Sequence, residues 1–287
     1  MKKIISLALA AIILVTSVFA LASCGPKYEP KFGKAFSPVN SQMDVLLQLN
    51  AKSIDVGVMD SIMAGYYMSK DTRYADSLMI IDDLVLAEEK YGIAARKGSG
   101  FTKKINEALV ALAADGTVNT IAEQYGVASE ICIDTTAEIA PLTAAEEADW
   151  NYIVSNGKFI VGYTIFAPIA YENENDELVG FDIDLAKAVA DYLDLTVEFQ
   201  VIEWATKEAK LEAKTIDCIW NGMTITPERE EMMEVSIPYM NNKQVAIIRK
   251  ADAELYKTTA DMAEALIGAE DGSAGMDCCV IKWKESE

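Results

Sequence analysis

The hydrophobic period of this chain changes several times, and each change marks an element. Between Asn40 and Asn50, Met43, Leu46 and Leu47 recur at helical spacing with Val45 and Leu49 beside them, which predicts a helix. Residues 53–59 form a short β-type run, and Asp60-Ser61 opens a second helix through Tyr67. Residues 84–96 contain a strand centred on 91–96. Residues 102–112 are amphipathic with the period of a helix, and Asp115-Gly116 stops it before a further helix over 117–125. From 127 to 148 the period is lost in small, polar and acidic residues, which predicts a linker. Beyond it come a strand over 159–163, a turn at 172–177 and a helix starting after Gly180, with Asp182 or Asp184 placed to cap it. A strand over 196–201, a helix over 206–213 and a strand over 217–220 follow. Strands alternating with helices predict α/β layers with largely parallel sheets.

The first residues follow a different logic. Lys2 and Lys3 precede an apolar run over 4–22, which ends in Leu21-Ala22-Ser23-Cys24 and is broken by Gly25-Pro26. This matches a bacterial lipoprotein leader: a signal peptide over residues 1–23, cleavage before Cys24 and a lipid on its sulfur. The alternative, an uncleaved anchor helix, leaves the protein on the same face of the membrane. Residues 24–40, polar and punctuated by Pro and Gly, read as a tether.

Composition narrows the chemistry. Of the 287 residues 51% are hydrophobic and 24% charged, a globular balance with ample material for a core. The net charge of −20 disfavours nucleic acid and anionic membrane surfaces as partners. The chain has no histidine, which excludes His-based metal sites and Ser-His or Cys-His catalysis. Besides Cys24 there are Cys132, Cys218, Cys278 and Cys279, whose spacing fits no zinc pattern. Adjacent Cys278 and Cys279 have poor geometry for a mutual disulfide, while a pairing such as Cys132 with Cys218 stays open.

Several segments carry a family resemblance. Gly162 to Pro168, Leu178-Val179-Gly180-Phe181-Asp182-Ile183-Asp184-Leu185-Ala186, and Ile216 to Trp220 leading into Asn221-Gly222-Met223-Thr224-Ile225-Thr226-Pro227-Glu228-Arg229 resemble the first lobe of the periplasmic amino-acid-binding proteins that serve ABC importers. Pro238-Tyr239 and Lys243-Gln244-Val245 resemble that family's exit into the hinge. Gly268 to Gly275 looks like the start of its second lobe, yet the pieces that should follow lie at the front of the chain. Met43 to Tyr67 looks like the rest of lobe two, Tyr91 to Lys97 like the returning hinge strand, and Thr102 to Tyr125 like the family's C-terminal helices. The resemblance therefore implies a circular permutant; the rival reading is a damaged gene holding pieces of two receptors.

What the resemblance implies is a two-lobed, type II periplasmic-binding-protein-like α/β fold, each lobe a mostly parallel sheet flanked by helices. Lobe two would comprise residues 41–91 and 250–287, and lobe one residues 92–249 with a linker over 127–149. A zwitterionic L-amino acid would bind between the lobes. Arg229 supplies a planar fork for its carboxylate, Thr224 a further donor, and Gly222 a close backbone approach. Asp60, at a strand end, would hold the ammonium, with Ser273 as a donor at a helix start; the plainer reading of Asp60 is a helix cap. Phe166 and Trp204 would wall the side chain, and Trp220 reads as core. The acid that many relatives carry shortly before the position of Phe166 is missing, where Tyr163-Thr164-Ile165 stand. Glu270 offers another negative charge. No cofactor, metal or reaction is implied. The partners would be a polar L-amino acid and a membrane permease of the ABC type, the protein acting as a monomer anchored outside the cytoplasm through Cys24. A sensory or adhesion module and a dehydratase-like enzyme are the alternatives.

Overall fold

The computed structural model describes residues 28–70 and 72–282. The expected leader over residues 1–23 and the lipid site at Cys24 lie outside the described residues.

The chain opens with β1 (Tyr28–Pro30), β2 (Ala35–Val39) and α1 (Gln42–Asn50). Ser41 starts α1 by accepting the Asp44 amide at 3.1 Å, and the helix buries Val45, Leu46 and Leu49. Next come β3 (Val56–Asp60), α2 (Ser61–Lys70), α3 (Thr72–Ala75) and the long β4 (Leu78–Arg96). Every position of β3 is buried, as a strand covered on both faces requires. Helices α4 (Phe101–Ala114), α5 (Thr117–Tyr125) and α6 (Ala144–Asn156) lead into β5 (Lys158–Tyr163), the hairpin β6 (Tyr171–Glu172) and β7 (Leu178–Val179), α7 (Phe181–Tyr192) and β8 (Thr196–Val201). The last elements are α8 (Lys207–Glu212), β9 (Cys218–Thr224), α9 (Pro227–Met232), β10 (Met233–Val235), β11 (Met240–Arg249), β12 (Leu266–Glu270), α10 (Ala274–Cys279) and β13 (Val280–Lys282).

Nine strands form one sheet in the order β2-β12-β3-β11-β4-β9-β5-β8, with β10 beside β4. β12 runs parallel to β2 and β3, and β5 parallel to β8 and β9. β11 is antiparallel to β3, β4 is antiparallel to β9, and β4 and β11 are antiparallel to each other. The sheet thus divides into two lobes, each with three parallel strands of its own, joined by β4 and β11 as crossing strands. From the outer edge inward, lobe one reads β8-β5-β9-β4-β10 and lobe two reads β2-β12-β3-β11-β4. The two orders match strand for strand. The chain order does not: lobe one supplies its own strands as β5, β8, β9, β10, whereas lobe two supplies the equivalents as β12, β2, β3, β4. The central strand of lobe two therefore comes from the far end of the chain. β1 pairs with β13, Tyr28 opposite Lys282, so the two ends of the described chain lie side by side.

The largest buried cluster is continuous from Leu49 and Met63 in lobe two, through Tyr91 and Tyr239 at the crossing strands, to Phe101, Phe159 and Trp220 in lobe one. Trp220 is fully buried, as expected of core.

Several expectations need correction. Residues 28–39, expected within the tether, carry β1 and β2, and β2 pairs with β12 along its whole length. The linker expected to reach residue 149 ends earlier. A capping box, with the Glu146 amide donating to the Thr143 hydroxyl and the Thr143 amide donating to the Glu146 carboxylate, opens α6. Only Ile153 of α6 is buried, so this helix has almost no apolar period to detect. Its docking rests instead on Trp150 stacked at 6.2 Å on Phe101 and on Arg96, which pairs with Asp149 at 3.3 Å and Asp217 at 3.2 Å. Neither Asp182 nor Asp184 caps α7, whose cap residue is Gly180. The four described cysteines are free thiols, so Cys132 and Cys218 are not paired.

Candidate functional site

A narrow cleft lies between the lobes where β3, β9 and β12 end, with about 20 Å³ of free space in it. Strand ends in α/β sheets are where ligand-binding side chains collect, because loops there face outward from a rigid edge. All seven residues expected to contact a ligand line this cleft. Gly222, Thr224, Arg229, Phe166 and Trp204 come from lobe one, and Asp60 and Ser273 from lobe two.

Arg229 is set by a local device. The Thr226 hydroxyl accepts the Arg229 amide at 3.2 Å and Pro227 fills the first turn of α9, which folds the arginine back over the end of β9. Its Nη1 donates to the Thr224 carbonyl at 2.6 Å, and its Nη2 donates across the cleft to the Gly272 carbonyl at 3.3 Å. These bonds engage two of the five guanidinium donors. Gly222 has φ +61°, in the left-handed region, and a Cβ there would lie 2.6 Å from the Phe166 ring and 3.0 Å from the Tyr91 ring. Both conditions demand glycine.

The same turn is held from behind by Asp182. Its Oδ2 accepts the Gly222 amide at 2.9 Å and the Tyr239 hydroxyl at 2.9 Å. Burial pushes the Asp182 carboxyl up to about 7, with the Tyr239 and Gly222 bonds holding it down. Phe166 and Trp204 are almost wholly covered and form cleft wall. Beneath Trp204 lies Lys207, its ammonium 4.7 Å from the ring centre and only 2% of the residue exposed. Lys207 donates to the carbonyls of Trp204 at 3.2 Å and Gly272 at 3.3 Å, so two cations of lobe one meet on a single carbonyl of lobe two. Burial lowers the Lys207 pKa, Arg229 adding to the effect, while Glu208 and Glu270 oppose it.

In lobe two, Asp60 ends β3 with its side chain buried. Its Oδ1 accepts the Tyr91 hydroxyl at 2.8 Å and the Gln244 amide at 2.9 Å, and also the Asn242 amide; its Oδ2 accepts the Gln42 amide. Asn242 Oδ1 accepts the Ser61 hydroxyl and the Ile62 amide at the start of α2, so a residue of β11 serves the helix end that the plainer reading gave to Asp60. Burial, then the negative charge of Glu89, pushes the Asp60 carboxyl well above the usual carboxylate range. Ser273 caps α10, its hydroxyl accepting the Met276 amide at 3.1 Å. Glu270, at the end of β12, is pushed up to about 8 by burial; Lys207 opposes this, while Asp44 and Asp271 add to it. Thr164 and Ile165 stand where the acid of many relatives is missing, and the Thr164 hydroxyl is hydrogen-bonded to the Asn221 side chain at 2.7 Å.

Gln42, Tyr91, Asn242, Gln244, Asp182 and Lys207 were not anticipated. Asp182, Tyr91 and Gln244 had a signal, inside the resembling segments 180–184, 91–97 and 243–245. Asn242 reaches the site through the pairing of β11 with β3 and β4, Gln42 comes from the start of α1 and Lys207 from the start of α8. Among the described residues, no cluster of three or more His, Cys, Asp or Glu side chains is placed to hold a metal. No described helix is long and apolar enough to cross a membrane.

Residues 159–271 match the family described as bacterial extracellular solute-binding proteins, family 3. The chain is 35% identical over 108 residues to the ABC transporter arginine-binding protein 1 of Escherichia coli, covering 38% of this chain and 43% of that protein. It is 26% identical over 130 residues to the L-cystine-binding protein TcyJ of the same species, covering 45% and 49%. The chain thus spans about half the length of the curated relatives it matches. Among solved structures, it is similar to an ABC uptake transporter substrate-binding protein from Streptococcus pneumoniae with bound histidine, at 41% identity, 29% of this chain, 35% of that chain and a TM-score of 0.28.

Proposed function

We propose, from the match of residues 159–271 to family 3 of the bacterial extracellular solute-binding proteins, that this chain is a receptor whose two lobes close over a polar L-amino acid and present it to an ABC permease. The observation that carries the reading is the placement of Arg229 and Asp60 on opposite lobes of one cleft. A zwitterion has two charged ends fixed to one carbon, and this cleft offers a guanidinium for one and a carboxylate for the other. Arg229 takes the ligand carboxylate as a bidentate fork, and the Gly222 turn lets the backbone approach it. Asp60 takes the ammonium, Ser273 donates a hydroxyl, and Phe166 and Trp204 cover the side chain. No bond is made or broken.

Binding and closure are one event in this account. Arg229 and Lys207 already bond Gly272 of the opposite lobe, and a ligand bridging Arg229 and Asp60 adds further bonds that exist only in the closed state. A ligand shifts an equilibrium by its differential affinity for the two states, so the closed form is what a permease would read. Cys24 would tether the receptor to the outer membrane face of the cell.

The chain order supports a circular permutant. The two lobes share one strand order, but lobe two takes its central strand β12 from the end of the chain. The described ends are joined by the β1–β13 pair, and the segment between α5 and α6 would be the join of the ancestral termini. Neighbouring surface ends are what a permutation requires.

A thermal-shift screen of residues 25–287 against the twenty L-amino acids, cystine and ornithine tests the receptor reading. A ligand that binds only the folded state raises the melting temperature. A rise with one or a few amino acids, lost in Arg229→Ala, is the expected result; a cooperatively folded protein indifferent to all of them overturns it.

A further inference from the structure

Of the side chains that line the cleft, three carry charge: Arg229 from lobe one, and Asp60 and Glu270 from lobe two. The two backbone charges of an amino acid answer only two of them. Its carboxylate meets Arg229 and its ammonium meets Asp60, which leaves Glu270. This acid ends β12, with only 4% of the residue exposed. Among the described residues none forms an ion pair with it: Lys207, the cation that acts on it, is engaged with Glu208 at 3.0 Å and with the carbonyls of Trp204 and Gly272. The Gln42 amide also acts on it, but donates to Oδ2 of Asp60. A buried carboxylate without a cation is costly. Burial pushes this one up to about 8, the direction expected of an acid that the protein itself leaves unpaired.

The two acids stand where a single ligand can span them. β12 and β3 are parallel neighbours, with Gly268 opposite Gly57. Glu270 lies two residues past Gly268 and Asp60 three past Gly57, so strand spacing and rise set their backbones roughly 6 Å apart. Lobe one faces them with Thr164, Phe166, Trp204 and Asn221, none of which carries charge. The free space of about 20 Å³ is less than a side chain fills, so a ligand enters with the lobes parted and meets both acids as they close.

We propose that Glu270 determines the specificity of this receptor, its carboxylate taking the cation at the far end of a basic L-amino acid such as arginine, ornithine or lysine. The inference rests on the reading of Arg229 and Asp60 as the sites of the ligand's backbone charges, and it narrows the ligand from polar to cationic. A neutral side chain of the same shape leaves Glu270 buried and unpaired, and an acidic one sets like charges together. Selection therefore comes as much from the cost of the unanswered acid as from the bond made with the right ligand.

The test is calorimetric titration of the full chain with two pairs of ligands alike in shape and unlike in charge: L-arginine against L-citrulline, and L-ornithine against L-glutamine. In one or both pairs wild type should bind the cationic member at least about thirtyfold tighter, the loss usual when one partner of a buried charge pair is removed. Glu270→Gln should bring that ratio within about threefold, by weakening the cation. Glu270→Met, of similar length and without charge, takes its place if the first variant does not fold. A wild type that binds amino acids but favours the cation in neither pair overturns the inference and leaves the receptor reading intact. A cation preference that survives in a folded Glu270 variant puts the distal charge elsewhere and overturns it as well. A wild type that binds none of these four and no other L-amino acid overturns the receptor reading and this inference with it.

Discussion

Lobe one aims its arginine with residues close together in sequence, while Phe166 and Trp204 complete its face from two other segments. Gly222, Thr224 and Arg229 belong to one strand–turn–helix unit, and Thr226 and Pro227 inside that unit set the arginine's direction. Lobe two makes its face from both ends of the chain: Gln42 and Asp60 from the front, Glu270 and Ser273 from the back, with Asn242 and Gln244 reaching in from a crossing strand. Charge differs as well as assembly. The lobe-one face carries two cations that share a carbonyl, and the lobe-two face carries carboxyls whose proton affinity burial raises. A cationic face can be built by a short motif, because a guanidinium is always charged and needs only to be aimed. A buried acidic face needs a network of donors, and donors near one carboxyl come from many segments.

The first way to break this comparison is to remove the cation. Arg229→Ala should cost binding roughly 2–5 kcal/mol, the usual loss when one partner of a desolvated charge pair is truncated. Calorimetric titration with the amino acid found by the screen reads it; a loss under tenfold would mean that Lys207 carries the carboxylate instead. Next in size is Gly222→Ala, which places a Cβ against Phe166 at a left-handed backbone position. It should lower stability by about 2 kcal/mol or more, read by denaturant unfolding, and weaken binding further by moving the turn.

The acidic face should show itself in stability against pH. Glu270 has a folded value of about 8, raised above its unfolded one, so its contribution is fully present in acid and is lost as pH rises from the ordinary carboxylate range through about 8. Wild type should therefore lose stability over that window. Glu270→Gln should flatten the loss by a few kcal/mol at most, at about 1.4 kcal/mol per tenfold change in proton affinity. Parallel melting curves for both proteins would remove Glu270 from the argument. The smallest effect is expected from re-cutting the chain: joining residues 28 and 282 by a short loop and opening the segment between α5 and α6 should give a protein with binding within about threefold of wild type. Failure of that variant to fold, with wild type well folded, would count against the permutation.

The same contrast governs what could be read from sequence. The helix over Thr117–Tyr125, the strand at Lys158–Tyr163 and the turn before Arg229 were legible because period and turn chemistry are local. Helix α6 was missed because it docks through a tryptophan stack and ion pairs and buries almost no stripe. Strands β1 and β2 were mistaken for tether because their apolar partners arrive from the other end of the chain. Asp60 was identified as a strand end, but its four donors were not, since Tyr91, Asn242 and Gln244 meet it only through the pairings of β11 with β3 and β4, and Gln42 arrives from α1. Asp182 was visible inside a recognisable segment and given the wrong task, because supporting a glycine forty residues later has no sequence pattern.

The central claim is that the two lobes hold opposite ends of one zwitterion. It is tested most directly by titrating the full chain with the best-binding amino acid, its α-amide and its N-acetyl form, against wild type and Arg229→Ala. The account predicts that wild type loses at least about 2 kcal/mol for each blocked form, and that Arg229→Ala no longer distinguishes the acid from the amide while still rejecting the N-acetyl form. A wild type that binds the amide or the N-acetyl form as well as the free amino acid would contradict it.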